Sequence, residues 1–172
     1  MTINPTQAEP ITDDAMASAQ SQVKALLDRW SEACRIKDID QLMSLYAPNI
    51  TYFDVVPPLQ IIGSDAVRRN FLRWFESWES SIGVEIRDRN IVVSGDVAVA
   101  YMLHRTSGTL KNGREVGYWV RATLCCQRSN HAWLITHEHI SLPIHPGSWS
   151  AAIDLMPSVE PHTQDTQVRQ ID

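Results

Sequence analysis

The chain of 172 residues lacks the features of several common protein classes. Its three cysteines, Cys34, Cys125 and Cys126, are a poor framework for disulfides and suit a reducing compartment. Its seven glycines form no glycine-rich loop of the kind that cradles phosphates. No apolar run approaches the roughly 18–20 residues that span a bilayer, and the first residues do not resemble a signal peptide. We therefore expect a cytoplasmic protein without a membrane partner.

Positive charge is also scarce. The net charge is -5, and no basic stripe supplies the clustered Lys and Arg that phosphate binding requires. The sequence therefore argues against a nucleic-acid partner. What is present is an ordinary globular composition, with 44% hydrophobic residues, in a chain long enough to bury a real core in one domain.

Apolar residues at helical spacing predict three helices in the first half of the chain. The first begins near Asp13, the second restarts at Asp38 and ends at Pro48, and the third is capped by Ser64 and ends near Gly83. The apolar stripe of the first helix consists of Val23, Leu26, Leu27, Trp30, Ala33 and Cys34.

In the second half of the chain, apolar residues recur at about every second position, which predicts strands. Asn112-Gly113 between two of these runs is a strong hairpin signal. Helices followed by a meander of strands predict the α+β class. The predicted strands are 49–54, 84–94, 97–110, 115–127 and 132–142.

Proline and polar residues are concentrated at both ends of the chain. We expect a flexible arm over 1–12, a domain over 13–145, and an irregular, partly disordered extension over 146–172.

Two segments carry a resemblance to a known superfamily. The run Tyr-Ala-Pro-Asn-Ile-Thr-Tyr-Phe-Asp over 46–54, with the Pro-containing loop and Gly63, and the segments 119–123 and 133–143, are similar to the nuclear transport factor 2-like superfamily. Within it, the chain most resembles SnoaL-like and ketosteroid-isomerase-like proteins, and 133–143 also resembles the association domain of calcium/calmodulin-dependent kinase. The resemblance implies a cone-shaped, cystatin-like α+β fold, with three N-terminal helices on a strongly curved antiparallel sheet that encloses one cavity.

The resemblance makes Asp54 the first candidate catalytic residue, because isomerases of this superfamily have their general base at the end of this strand. The alternative is an Asp that caps the following turn. These isomerases also use two acidic hydrogen-bond donors. Here one of the two corresponding positions holds Trp30, and the other falls near Thr123, which is not an acid. Steroid isomerisation is therefore not expected.

Arg121 and Glu138 are the other candidate catalytic residues. The resemblance places Trp119, Arg121 and Thr123 on the strand face that lines the cavity, and a buried Arg must be paired or bind an anion. Arg121 would then stabilise an oxyanion of the ligand. The alternative is a structural ion pair between Arg121 and Glu138.

Aromatic side chains suggest the cavity wall. They would suit a flat, mostly apolar ligand with one polar end, although core packing is the simpler explanation for most of them. The predicted ligand-binding residues are Trp30, Tyr52, Trp74, Tyr101, Trp119, Thr123 and Ile140.

Alternation along the last strand predicts that Glu138 faces the cavity and that His137 and His139 face outward. With Trp133 and Ile135, these histidines are expected to form a homodimer interface on the outer sheet face. A one-residue bulge would reverse this assignment. No metal site and no cofactor are predicted, because no set of ligands with recognisable spacing accompanies the two histidines.

Two functions remain open at this point. One is a cofactor-independent enzyme of the isomerase, cyclase or hydrolase type that transfers a proton on a small cyclic or aromatic carbonyl compound. The other is a non-catalytic module that binds a small molecule or forms a dimer.

Overall fold

The computed structural model describes residues 12–130 and 132–158, and the predictions for 1–11 and 159–172 lie outside this part of the chain. The element order confirms the α+β class and the predicted succession of three helices and five strands; the two-residue β2 was not predicted. The second helix ends at Met43 and not at Pro48, and the first strand begins at Tyr46. Gly63 and not Ser64 is the cap of the third helix, which ends at Glu76. The elements are α1 (Asp13–Ile36), α2 (Ile39–Met43), β1 (Tyr46–Phe53), β2 (Ile61–Ile62), α3 (Ser64–Glu76), β3 (Gly83–Ser94), β4 (Val97–Thr109), β5 (Glu115–Ser129) and β6 (Ala132–Ser141).

The first two helices begin at side chains that cap them. The hydroxyl of Thr12 accepts a hydrogen bond from the backbone N–H of Ala15, and the Asp38 carboxylate accepts from the N–H groups of Asp40 and Gln41. These bonds satisfy donors that the first helical turn leaves unpaired. Within residues 12–130 and 132–158, no helix is long and apolar enough to cross a membrane.

The six strands form one mixed sheet in the order β2-β1-β6-β5-β4-β3. Strand β1 runs parallel to β6, with Tyr52 opposite Glu138, and every other pair is antiparallel. This arrangement corrects the expected antiparallel sheet. The chain returns to β1 only after α3 and the hairpins, a long connection of the kind that a parallel pair requires. The sheet is also not strongly curled, which corrects the second expectation.

The helices cover one face of the sheet, and their shared apolar surface is the core. The stripe predicted for α1 is buried, and Phe71 and Phe75 of α3 are buried beside it. The inner face of the sheet contributes alternate residues from β4 and β5, such as Ala100 and Ala122.

A β-bulge in β6 changes which side chains face the core. Cys125 lies opposite His137 and Cys126 lies opposite Ile135, so Thr136 is an extra residue in the ladder. Because of this extra residue, the inward face shifts from odd to even numbers along β6.

The bulge corrects the predicted dimer face. Trp133 and Ile135 are buried in the core, and the Trp133 indole donates to Gln22 of α1 at 3.1 Å. His139 is exposed, and His137 is partly buried with Nδ1 2.9 Å from the Thr51 carbonyl oxygen. Only the two histidines of the expected stripe lie on the outer face, and the homodimer itself stays a prediction.

Candidate functional site

A cavity of about 60 Å³ lies between the helices and the inner face of the sheet. This volume is several times what one water molecule needs. Its wall is mostly aromatic and aliphatic, and two carboxyl groups interrupt it. Six of the predicted site residues line it: Trp30, Tyr52, Asp54, Trp74, Glu138 and Ile140.

Of the other four predicted residues, three lie elsewhere because the assumed face of β5 is wrong, and the fourth, Tyr101, lies on β4. Tyr118 and Val120 line the cavity, so Trp119, Arg121 and Thr123 point to the opposite side of the sheet.

Arg121 and Tyr101 were predicted in the cavity, but both side chains are exposed. The guanidinium of Arg121 is exposed and donates to the Ser141 hydroxyl at 3.2 Å. Tyr101 lies opposite Thr123 in the ladder and is 48% exposed. The expected pair between Arg121 and Glu138 does not form, because the sheet separates the two side chains.

Glu138 is the deeper of the two carboxyl groups, with only 1% of its surface exposed. The Tyr46 hydroxyl donates to its Oε2, and the indole of Trp30 donates to the Tyr46 oxygen at 2.8 Å. None of the ion pairs within residues 12–130 and 132–158 includes Glu138. Burial raises the pKa of Glu138 to about 8; the bond from Tyr46 opposes this rise, and the charge of Asp54 adds to it.

Asp54 follows β1 and is only partly buried. Its Oδ1 accepts from the backbone N–H of Val55 at 2.6 Å, and its Oδ2 accepts from the Asn70 amide at 2.7 Å. Arg73 donates to the other end of the Asn70 amide at 2.9 Å, which turns the NH₂ group toward Asp54. Helix α3 therefore fixes the orientation of the carboxylate.

His104 of β4 adds an imidazole to the polar groups of the wall. It is 6% exposed, and its Nε2 lies 3.2 Å from the Thr106 hydroxyl. Its ring packs against Trp30 in a T-shaped contact with centroids 5.1 Å apart. Burial lowers the pKa of His104 to about 4, so the imidazole is neutral at physiological pH.

Several wall residues were not predicted from the sequence. They are Val55, Asn70, Phe71, His104, Thr106, Tyr118 and Val120. A signal was present for one pair of them: His104 and Thr106 lie two apart in a strand, next to Met102 on the same face, so two polar residues share an apolar face. Buried polar groups in such positions need partners and are often functional.

Among the described residues 12–130 and 132–158, no group of three His, Cys, Asp or Glu side chains is placed to hold a metal ion. The polar groups of the cavity wall include two carboxyl groups and an imidazole, set among aromatic side chains.

The sequence pattern of the SnoaL-like domain matches residues 23–145, and the chain belongs to this family. No curated protein matches the chain. Among solved structures, an NTF2-like protein of unknown function from Pseudomonas putida KT2440 is similar, with 28% identity and a TM-score of 0.76. The match covers 82% of this chain and 98% of that chain.

Two more distant structures share the fold. A candidate dehydratase of the NTF2-like family from Streptomyces avermitilis is 21% identical, with a TM-score of 0.66 over 73% of this chain and 97% of that chain. A candidate calcium/calmodulin-dependent protein kinase II association domain from Xanthomonas campestris is 22% identical, with a TM-score of 0.64 over 82% and 96%. These likenesses confirm the NTF2-like fold.

Proposed function

We propose that this SnoaL-like chain is a cofactor-independent enzyme that transfers a proton on a small cyclic or aromatic carbonyl compound. One observation carries the proposal: two carboxyl groups, Asp54 and Glu138, line one aromatic cavity in different surroundings. Such a pair can divide the roles of base and acid between its members.

Glu138 is the acid of the proposed pair. Because the pKa of Glu138 is about 8, its carboxyl group carries a proton at neutral pH. Tyr46 occupies one carboxyl oxygen, which leaves the acidic proton on the other free to bond a ligand carbonyl oxygen. Glu138 thereby takes the role that the sequence assigned to Arg121.

Asp54 is the base. It removes a proton from the carbon next to the carbonyl. The electron pair of that C–H bond forms a C=C bond to the carbonyl carbon, and the π pair of the C=O bond moves to oxygen, where Glu138 donates its hydrogen bond. In a substrate that carries a C=C bond conjugated with this enolate, return of the proton from Asp54 to the far carbon re-forms the carbonyl and gives an isomer. The bonds from Val55 and Asn70 hold the carboxylate in one orientation, and proton transfer depends on such positioning.

The proposal is tested by proton exchange, which needs no knowledge of the natural substrate. Acetophenone and cyclohex-2-enone are incubated with the protein in D₂O, and loss of the protons next to the carbonyl is followed by proton NMR. We expect catalysed exchange that falls by about 10²–10⁴-fold in Asp54→Asn, the usual contribution of a general base. Asp96→Asn, an exposed Asp paired with Arg128, is the matched control and retains full activity. Equal exchange by wild type and Asp54→Asn would exclude the mechanism.

The alternative, a non-catalytic module that binds a small molecule, has one observation in its favour. Asp54 already accepts a backbone hydrogen bond from Val55, as a turn-capping Asp does. This alternative predicts that the two probes bind without any exchange above the rate in buffer. Parallel measurement of binding by ligand-observed NMR and of exchange distinguishes the two functions.

A further inference from the structure

A buried imidazole nitrogen in the cavity wall lacks a partner. His104 is 6% exposed, and its Nδ1 has no hydrogen-bond partner among residues 12–130 and 132–158. An unsatisfied buried polar atom costs about 1–3 kcal/mol, so a group that satisfies it gains binding energy. The other nitrogen, Nε2, is already taken by the Thr106 hydroxyl.

The unpartnered nitrogen restricts the chemistry of its partner. Thr106 can donate to Nε2 or accept from it, so Nδ1 is either the donor or the acceptor of the ring. A hydroxyl group can donate and accept, and it therefore matches Nδ1 in either tautomer. A carbonyl group matches only one of the two.

His104 and Glu138 reach the cavity from different strands. They lie on β4 and β6, with β5 between them, and the ladder places Val120 opposite His104 and Leu124 opposite Glu138. Their backbones are therefore about 10 Å apart across the sheet and also four residues apart along it. Trp30 links the two groups, since its ring contacts His104 and its indole N–H binds the Tyr46 hydroxyl that bonds to Glu138. A single ring with polar groups at opposite ends suits this arrangement.

We infer that His104 binds a hydroxyl group of the substrate at the end of the ring opposite the reacting carbonyl. The inference rests on the proposed function and narrows its substrate class to hydroxylated aromatic or cyclic carbonyl compounds. His104 is a specificity-determining residue in this arrangement, while Asp54 and Glu138 perform the proton transfer.

A buried water is the competing partner for Nδ1. His104 and Glu138 also border a second cavity of about 10 Å³, which is at the lower limit for one water molecule. A water held there would satisfy Nδ1 without any contribution to ligand choice, and the experiment separates these two cases.

The test compares 4-hydroxyacetophenone with acetophenone as binding probes. We expect the hydroxylated probe to bind wild type about fivefold more tightly, as one net hydrogen bond provides. With histidine labelled by ¹⁵N, its addition should move the Nδ1 signal of His104 and leave the Nε2 signal nearly in place. Equal affinities, an unmoved Nδ1 signal, or no binding of either probe at millimolar concentration overturns the inference.

Two variants separate recognition from folding. The amide of His104→Asn lies near the position of Nδ1, whereas that of His104→Gln reaches the position of Nε2 and preserves only the contact with Thr106. We expect the Asn variant to retain the preference for the hydroxylated probe and the Gln variant to lose it, with cooperative unfolding of both checked by circular dichroism. A preference that survives in both variants means that a water, and not the ligand, is the partner of His104.

The outcomes also distinguish this inference from the proposed function. A hydroxyl preference without catalysed exchange keeps the assignment of His104 and removes the proton-transfer chemistry. Catalysed exchange with no hydroxyl preference does the reverse.

Discussion

The two carboxyl groups of the cavity can be compared directly, because Glu138 lies on β6 and Asp54 directly follows the neighbouring strand β1. Glu138 is buried within β6, opposite Tyr52 of β1, and Asp54 follows two residues after Tyr52 where β1 has ended. A displacement of two residues along the sheet thus separates a desolvated carboxyl group from a partly solvated one. Burial is the largest cause of the raised pKa of Glu138, while the bond from Tyr46 opposes the rise and the charge of Asp54 adds to it.

The supports of the two groups differ as well. A chain of side chains holds Glu138, from Trp30 through Tyr46, with no backbone donor in the chain of bonds. A backbone N–H and an amide from α3 hold Asp54. Glu138 is therefore sensitive to changes in the core, and Asp54 is sensitive to the position of a helix.

The difference between the two carboxyl groups should be most visible in how the stability of the protein depends on pH. The pKa of Glu138 is about 8 in the folded state and ordinarily 4.5, so between these values the native state binds the additional proton. The proton on Glu138 contributes most to the free energy of unfolding below pH 4.5, and this contribution is lost as the pH rises to about 8. At about 1.4 kcal/mol per pKa unit, the loss amounts to several kcal/mol. We expect Glu138→Gln to remove this slope in urea unfolding measured at pH 5, 6.5 and 8.

A matched variant controls for the general effect of the substitution. Glu85→Gln removes an exposed carboxyl from β3 and should leave the slope in place. If Glu138→Gln and wild type lose stability in parallel over this range, Glu138 is ionised in the native state and the comparison fails.

The next effect concerns the hydrogen bond that opposes the desolvation of Glu138. Tyr46→Phe removes the donor to Glu138 and also the acceptor of the Trp30 indole, so a buried N–H is left unpaired. We expect a loss of about 1–3 kcal/mol in the free energy of unfolding. The proposed mechanism needs protonated Glu138, so exchange should be lost at the pH at which Glu138 gives up its proton. Because the Tyr46 bond lowers the pKa of Glu138, Tyr46→Phe should move this loss to higher pH. An unchanged pH profile would show that exchange does not depend on Glu138.

A smaller loss of stability is expected when one of the hydrogen bonds to Asp54 is removed. Asn70→Ala removes one of the two donors to Asp54, and we expect a loss of about 1 kcal/mol in stability together with slower exchange. Arg73→Leu is the control, because it removes only the bond that orients the Asn70 amide. Exchange that falls more in Arg73→Leu than in Asn70→Ala would contradict the positioning role of Asn70.

The sequence predicted the order of the elements well, because the relevant signals are local. Caps at Thr12 and Asp38 and the hairpin signal at Asn112-Gly113 act over a few residues. The parallel pairing of β1 with β6 depends instead on contacts between residues that are far apart in sequence, and no local pattern encodes it.

The candidate site was predicted less well, since strand faces had to be assigned. In β5, one face carries Val120, Ala122 and Leu124, and the other carries Trp119, Arg121 and Thr123. Alternation of polar and apolar residues favours the first face as the inner one, and the wrong assignment came from the register taken from the resemblance. The sequence also gives no sign of the bulge in β6, which moves Trp133 and Ile135 to the core while Glu138 stays inside.

The smallest expected effect tests this correction of the strand face. Arg121 is exposed, and within residues 12–130 and 132–158 its one side-chain hydrogen bond goes to Ser141. Arg121→Ala should therefore change the free energy of unfolding by no more than about 0.5 kcal/mol. Exchange should stay at the wild-type rate, since the sheet separates Arg121 from both carboxyl groups. A large loss of exchange in Arg121→Ala would return this residue to the site, and it would then be the outer face of β5 that carries the chemistry. Equal rates leave the inner face, with Asp54 and Glu138, as the reactive one.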